Sequence, residues 1–481
     1  MRPRRNSTDA QLRCGYIEEP LLLFGDSGEH VDPKLGISRF GPKSFEPADN
    51  HPATVRVGLI GSAESIEKCK DWLETCARGI SSSNAERPEF PGFMPDRGFF
   101  SELLFDEHWL AQLSHTEIDQ VIHTRGPAAK FAAALDLLEA KTELLSTKDR
   151  PPEYIVCALP NELLKDCAVV EYKDRVLGSV FRNLRRAYKA RAMKFRMPTQ
   201  ILRNETMEQF DPTKVVRKDY PSEIAWDFFT GLYYKAGGLP WGPNGLIPGT
   251  CYIGIGFFRA LGSSDPRVQT SLVQAFDEHG DGLVLRGHDF LWDSDKEGSK
   301  APHLGREDAS RLVDLVLSKY RDEMRQDPQR VVVHKSSRYW PEEKIGFEEA
   351  LKHKVSRYDL MALEAQSNVR LFSANKYPPL RGTHFSVGDI DFLYTTGYLA
   401  DLKQFHSVHV PSALQIADHI GGDTSRDTLL REILILTKMN WNSARLGGLL
   451  PITLLFSRRI GEIMREIPQD REPLTNFKYY I

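Results

Sequence analysis

Apolar residues fall along this chain in short, sharply bounded runs, and their spacing alternates between two periods. Val55-Arg56-Val57-Gly58-Leu59-Ile60-Gly61 reads as a strand that passes through a small-residue turn into a helix over Ala63–Cys76. A Pro/Gly/Ser-rich loop covers Ser81 to Arg97, and helical spacing returns at Ala128–Leu145. Tyr154-Ile155-Val156-Cys157-Ala158 reads as a buried strand, a basic helix follows, and Gln200-Ile201-Leu202 begins another strand. Strand, turn and helix in this order predict a Rossmann-like layered domain. No GxGxxG accompanies it, so a dinucleotide is not expected.

Past Tyr220-Pro221, strands are expected at Tyr252–Phe258, Gly282–Leu285, Val331–His334 and Ile452–Phe456. Helices are expected at Asp308–Arg325, where Val313, Val316, Tyr320 and Met324 share a face, and at Thr428–Met439. The pattern gives an α/β chain with a flexible start over 1–15, a first domain over 16–221 and a second over 222–481. The stretch from Glu18 to Asp49, rich in Gly, Pro and Asp, reads as short strands and turns.

A length of 481 residues agrees with two or three domains at roughly 100–200 residues each. With 41% hydrophobic and 27% charged residues and a net charge of -3, the chain as a whole is no polycation. Any nucleic-acid role must come from a local patch. Six cysteines without a CxxC pair fit neither a zinc site nor a disulfide framework, and point to a reducing cytoplasm. Met1 to Arg13 is polar and basic, unlike a secretory signal, and no apolar run reaches membrane-spanning length.

Charge changes the picture at one place. From Arg175 to Asn204 there are nine Lys/Arg and no Asp or Glu. On a helix, Phe181, Leu184, Tyr188, Ala192 and Phe195 form an apolar stripe, and Arg182, Arg185, Arg186 and Lys189 form a basic stripe beside it. Phosphate oxygens need several charge-assisted donors on a fixed frame, and a packed helix with such a stripe supplies them. The same run also reads as a solvated face. Like charges four apart repel, however, and no acid offsets them.

Further motifs follow in order: Met197-Pro198-Thr199-Gln200, then Leu232-Tyr233-Tyr234-Lys235-Ala236-Gly237-Gly238-Leu239-Pro240-Trp241, then Tyr252-Ile253-Gly254-Ile255-Gly256. Val331-Val332-Val333-His334-Lys335-Ser336-Ser337, Leu436-Thr437-Lys438-Met439-Asn440-Trp441-Asn442 and Leu450-Pro451-Ile452-Thr453 complete the series. From about residue 182 onward this series resembles the MID and PIWI domains of the Argonaute family. Without room for N-terminal and PAZ domains, it resembles the short prokaryotic type. The resemblance implies a Rossmann-like MID domain followed by an RNase H-like PIWI domain. It implies a guide 5′-phosphate pocket of Arg185, Lys189, Gln200 and Lys235, with Arg185 at a position often held by tyrosine. It also implies Mg²⁺ at that phosphate, held in part by the C-terminal carboxylate of Ile481.

In the same family two metal ions are held by clustered carboxylates. Here the expected ligand positions carry Gly256, Ser336 and Arg458, so strand cleavage is not expected, and the fourth, loop-borne acid is not placed. Arg182, Arg186, Arg381, Lys438, Asn440 and Asn442 are candidates for backbone contacts, with fold-specific hydrogen bonding as their other reading. The resemblance implies a guide RNA, a single-stranded DNA target and a role in prokaryotic defence. It further implies an APAZ-containing partner carrying a TIR or sirtuin-like NADase or a nuclease, and a higher oligomer on target binding. The rival is a guide-directed, metal-dependent nuclease with relocated carboxylates, drawn from Asp277, Asp281, Asp289, Asp389 and Asp391. Asp389 and Asp391 share a face if they lie on a strand. His406 and His409 read as surface or core histidines, and no Gly-x-Ser-x-Gly suggests a nucleophile.

Overall fold

A computed structural model describes residues 13–45, 50–84, 87–210, 220–261, 265, 267–280, 282–365, 367–372, 377–403, 405 and 410–481. The chain enters as an edge strand, β1 (Arg13–Tyr16), and later forms β2 (Thr54–Gly61) and α1 (Ala63–Ala77). Ser62 caps α1 by accepting from the Ser65 amide. There follow α2 (Pro127–Ser146), the wholly buried β3 (Tyr154–Ala158), β4 (Gly178–Asn183), α3 (Leu184–Ala192) and β5 (Thr199–Leu202). β5, β3 and β2 lie side by side and parallel, and Glu102–Leu104 and Leu110–Gln112 each add to β2 in parallel. Helices cover both faces of such a sheet, which is why its strands read as unbroken apolar runs.

The basic run is split between two elements. β4 pairs antiparallel with Val169–Asp174, so Phe181 and Arg182 sit on a strand, and Phe181 is 56% exposed rather than core. The helix starts only at Leu184, where Asn183 accepts from the Arg186 amide. The expected five-residue apolar stripe therefore begins one element too early.

α4 (Pro221–Lys235) leads into the second unit. There, β6 (Thr250–Phe258), β7 (Val268–Phe276) and β8 (Gly282–Leu291) form an antiparallel meander. After α5 (Arg306–Met324), β9 (Arg330–Lys335) joins β6 in parallel. After α6 (Pro341–Lys352), β10 (Arg357–Glu364) joins β9 in parallel. The order β8-β7-β6-β9-β10, three antiparallel strands followed by two parallel ones, is the RNase H-like arrangement. β11 (Thr383–Val387), β12 (Ile390–Leu393) and β13 (Leu414–Ile420) extend the sheet antiparallel. α7 (Arg426–Leu436), α8 (Ile452–Leu455) and α9 (Ser457–Met464) complete the unit.

The strand expected at Ile452–Phe456 is helix. Pro451 supplies the N-cap with φ -62°, and the following turn presses onto β6. Two glycines in β6 make room: a Cβ at Gly254 would stand 1.8 Å from the Thr453 carbonyl oxygen, and one at Gly256 would stand 3.1 Å from the Ser457 Cβ.

Strand pairing ties Arg13–Tyr16 and Leu22–Leu23 to the second unit. β1 pairs with β11 at the edge of the nine-stranded sheet, which moves Arg13–Gly15 out of the expected flexible start. Leu22–Leu23 pairs with Gly242–Pro243. One buried cluster then crosses the seam between the units, running through Val57, Trp72, Trp226, Tyr252, Trp441 and Ile481. Five of the six cysteines are buried and free, and Cys14 is exposed. Among the described residues no helix is long and apolar enough to cross a membrane.

Candidate nucleic-acid interface

Four elements converge at the open side of β5. α3 brings Lys189, 5% exposed, whose Nζ donates to the Thr199 carbonyl at 3.2 Å and to the main-chain oxygen of Ile481. α4 brings Lys235 from its last turn, 2% exposed, donating to Gln200 Oε1 at 3.1 Å and lying 5.7 Å from the centre of the Tyr154 ring. Arg185, one turn before Lys189 on α3, stands exposed beside them. Thus Arg185, Lys189, Gln200, Lys235 and Ile481 are brought together as the sequence motifs imply.

Their electrostatics would suit a negatively charged group. Burial and the neighbouring Arg185 guanidinium push Lys235 down to about 7. Burial, then Lys235 and Arg185, push Lys189 well below the ordinary lysine range. Although the Arg185 side chain still reaches the surface, the protein packed around its guanidinium strips solvent from it, and this, then Arg459, holds it down, with Arg186 and Arg203 adding to the effect. Buried cations that depress one another are relieved by a negative group placed among them.

A divalent ion fits this pocket only in company. Its two oxygen donors, Gln200 Oε1 and the Ile481 oxygen, are each taken by a lysine, and Mg²⁺ asks for near-octahedral oxygen. Phosphate oxygens would have to supply most of the remaining ligands and draw the ammonium groups away.

Other residues singled out from the sequence are engaged elsewhere. Arg182 donates to both carboxylate oxygens of Glu466, with Nε at 3.1 Å from each, and Arg186 pairs with Glu462, so both tie α9 and its following turn to the first unit. Arg381 and Lys438 are 3% and 0% exposed and cannot meet a strand from solvent. They share Glu19, at 2.7 and 2.8 Å, and so clamp the segment after β1. Asn440 and Asn442 form a local turn: Asn440 Oδ1 accepts from the Asn442 amide at 3.2 Å, and its Nδ2 donates to Ser443. Between them Trp441 stacks on Tyr234 at 5.0 Å. For these four residues, fold-specific bonding is what the structure contains.

The ligand positions of an RNase H-like centre do come together. Ile255 and Lys335 are paired on adjacent parallel strands, so Gly256 and Ser336 stand side by side one step further on. Ser457 lies against Gly256, and Arg458 follows it on α9. None of the three positions carries a carboxylate. His334 is buried, bonded to Thr453 Oγ1 at 2.9 Å, and burial pushes it down to about 3, which keeps it neutral. Lys335 turns to the opposite face and is buried against Glu343 at 2.6 Å and His303 at 2.9 Å.

Among the described residues, the candidate relocated carboxylates form no cluster with one another. Asp389 is in the turn before β12, so it does not share a strand face with Asp391, whose carboxylate takes Ser386 at 2.8 Å and Arg426 at 2.6 Å. Asp289 accepts from Thr270 at 2.5 Å. Asp281, His406 and His409 lie outside the described residues. Asp277, Glu278 and His279 bring ligand atoms within 4.8 Å of one another, but in the β7–β8 turn, where Phe276 pairs with Tyr252 at the far end of β6 from Gly256. Arg203 and Arg459 were not singled out from the sequence. The Arg458-Arg459 doublet is a weak signal for one, and nothing local marks the other.

No family model and no curated protein matches this chain. Solved structures do. Clostridium butyricum Argonaute bound to a guide DNA and a 19-mer target DNA matches 98% of this chain and 55% of its own, with a TM-score of 0.63 and 16% identity. A. aeolicus Argonaute matches 97% and 55% with a TM-score of 0.58 and 15% identity, and Drosophila Piwi matches 97% and 56% with a TM-score of 0.57 and 14% identity. The chain thus has the fold of the MID and PIWI parts of Argonaute proteins and spans about 55% of the length of the structures it matches.

Proposed function

We propose that this chain holds the 5′-phosphorylated end of a guide strand at Arg185, Lys189, Gln200 and Lys235, presents the guide to a complementary strand, and does not cut it. The observation that carries this is the convergence of two buried lysines from different helices on Gln200 and the Ile481 oxygen, with no side-chain carboxylate among them. Buried cations that outnumber the acids beside them are costly, and a terminal phosphate is a group that resolves them. The Ile481 oxygen would help hold Mg²⁺ beside the phosphate, and the ion would offset the negative charge of the phosphate and the terminal carboxylate together. Absence of cleavage is supported by Gly256, Ser336 and Arg458 standing together where metal-holding acids would be needed.

The resemblance to short prokaryotic Argonautes extends the proposal. The guide is RNA, the target is single-stranded DNA, and the setting is bacterial or archaeal defence. An APAZ-containing partner carries the effector, a TIR or sirtuin-like NADase or a nuclease, and target pairing drives the complex to its active, higher-order state. Sequence recognition is then delegated to base pairing, the protein contacting only backbone.

The test compares affinities for one RNA with a 5′-phosphate or a 5′-hydroxyl, in wild type and in Lys189→Ala and Lys235→Ala. A clear preference for phosphate that both substitutions abolish supports the pocket, and equal affinities refute it. Guide-directed cleavage of labelled target in Mg²⁺ or Mn²⁺ would refute the non-cutting part.

A further inference from the structure

The hairpin of Val169–Asp174 and β4 belongs to neither large sheet. Its two faces differ. Val170 and Val180 are 5% and 2% exposed and turn inward, Val170 joining the apolar cluster that includes α2. Val169, Glu171, Lys173 and Phe181 share the other face and are exposed. A two-stranded ribbon has two edges, and an open edge is a template for another strand. Among the described residues, no main-chain hydrogen bond joins Val169–Asp174 to any element but β4. The Leu184 amide donates to the Ala168 carbonyl at 3.0 Å. Main-chain groups alternate along an antiparallel strand, so those of Val170, Tyr172 and Asp174 point at β4, and those of Val169, Glu171 and Lys173 point away from it.

The charges on this edge fit a copy of themselves. Glu171 accepts from the Ser179 hydroxyl, and neither Glu171 nor Lys173 has an oppositely charged partner among the described residues. Two such strands, antiparallel about a two-fold axis at Tyr172, bring Glu171 of each copy opposite Lys173 of the other. Both positions then use the main-chain groups that point away from β4, so they form hydrogen-bonded pairs. Slipping by two residues either way sets Glu171 opposite Glu171 or Lys173 opposite Lys173. Opposite charges directly across a ladder attract and like charges repel, so one register is selected. Phe181, across from Glu171 within the hairpin, lies beside each pair and shields it from water.

We propose that two copies of this chain associate through their Val169–Asp174 edges, forming a four-stranded antiparallel sheet with a Glu171–Lys173 pair on each side of the axis. A second copy is the occupant because the match needs an acid and a base two residues apart on the added strand, and this strand supplies them. The contact is smaller than the ~1,200 Å² at which stable interfaces begin, so association should be weak, about 10–100 µM. It gives the higher-order state proposed above a surface, and rests on that reading to that extent, but it is tested first on protein without nucleic acid.

The test is sedimentation equilibrium of the full chain, free of nucleic acid and at low salt, over about 5–300 µM to bracket the expected constant. Wild type should dimerise reversibly. Glu171→Lys and Lys173→Glu should each weaken the dimer about tenfold, because each sets like charges across the axis. The double variant Glu171→Lys/Lys173→Glu should recover it, since the exchange re-forms both pairs. An equimolar mixture of the two single variants should associate more tightly than either alone. Both positions are exposed, so melting should not change, which separates lost contact from lost folding. A wild type that stays monomeric throughout overturns the inference. So do single reversals that dimerise like wild type, or a double variant that fails to recover. Association lost in Phe181→Ser but indifferent to the charges would assign contact to the hairpin face and overturn the edge pairing. If target-bound complexes assemble yet ignore both reversals, the higher-order state uses another surface and this inference falls alone. If the charge pattern holds without nucleic acid and target pairing adds nothing, the edge stands and the activation reading falls.

Discussion

A lysine whose pKa lies near 7 is an unusual thing to bury, and Lys235 links two measurements in opposite directions. Free in the unfolded chain it titrates near 10.5, and in the fold near 7. Between those values the unfolded chain holds more protons, so the stability of the ligand-free protein should rise as pH climbs from 7 toward 10.5. Phosphate binding needs the charged form, so affinity for a 5′-phosphorylated oligonucleotide should fall over the same interval. Binding at pH 8 should take up protons. Calorimetry in buffers of different ionisation enthalpy reads this directly, and a heat independent of buffer would contradict it. Gly254 makes the second prediction at this scale. Alanine there drives a methyl into the Thr453 carbonyl. Overpacking costs about 1–3 kcal/mol, and a clash with backbone belongs at or above the upper end, seen as a lower urea midpoint.

Among elements, the segment after β1 is held by a buried charge triad. Arg381→Ala or Lys438→Ala leaves Glu19 short of a partner, which for buried pairs costs about 3–5 kcal/mol. Both variants should lose thermal stability while what remains folded keeps its nucleic-acid affinity. A variant with normal melting but weakened binding would restore the backbone-contact reading. This triad also marks the limit of what the sequence made legible. Tyr154–Ala158 was readable to the residue, because a parallel strand buried on both faces has no polar position to blur it. Ile452–Phe456 is helix rather than strand because a mostly apolar run of five residues has no resolvable period, and only Pro451 hints at a helix start. Phe181 and Arg182 were folded into a helix because a hairpin strand abutting a helix continues the same basic composition. The residues proposed for the pocket were singled out through motif resemblance and are joined by contacts spanning up to 292 positions. The Glu19 pairs, separated by 362 and 419 positions, leave no local trace at all.

At the scale of the whole molecule, the two units share one interior. Trp226 on α4 lies edge-on to Phe90 at 5.1 Å and donates to the Glu89 carbonyl at 3.1 Å, within a cluster that also holds Tyr252 and Ile481. Truncating such a buried aromatic costs about 3–5 kcal/mol. Trp226→Ala should lower the melting of both units together, in one calorimetric transition. Two separated transitions would mean that the seam is not the cooperative contact its packing implies.

The meeting of Lys189 with the Ile481 oxygen carries this one step further. A phosphate lodged beside them would meet Lys189 on α3 of the first unit and Lys235 on α4 of the second, adding a fastening to the hydrophobic, hydrogen-bonded and ion-paired contacts the two halves already share. Cargo is then part of the scaffold. Heat resistance should climb with the logarithm of free 5′-phosphorylated strand, and preparations stripped of nucleic acid should be the fragile ones.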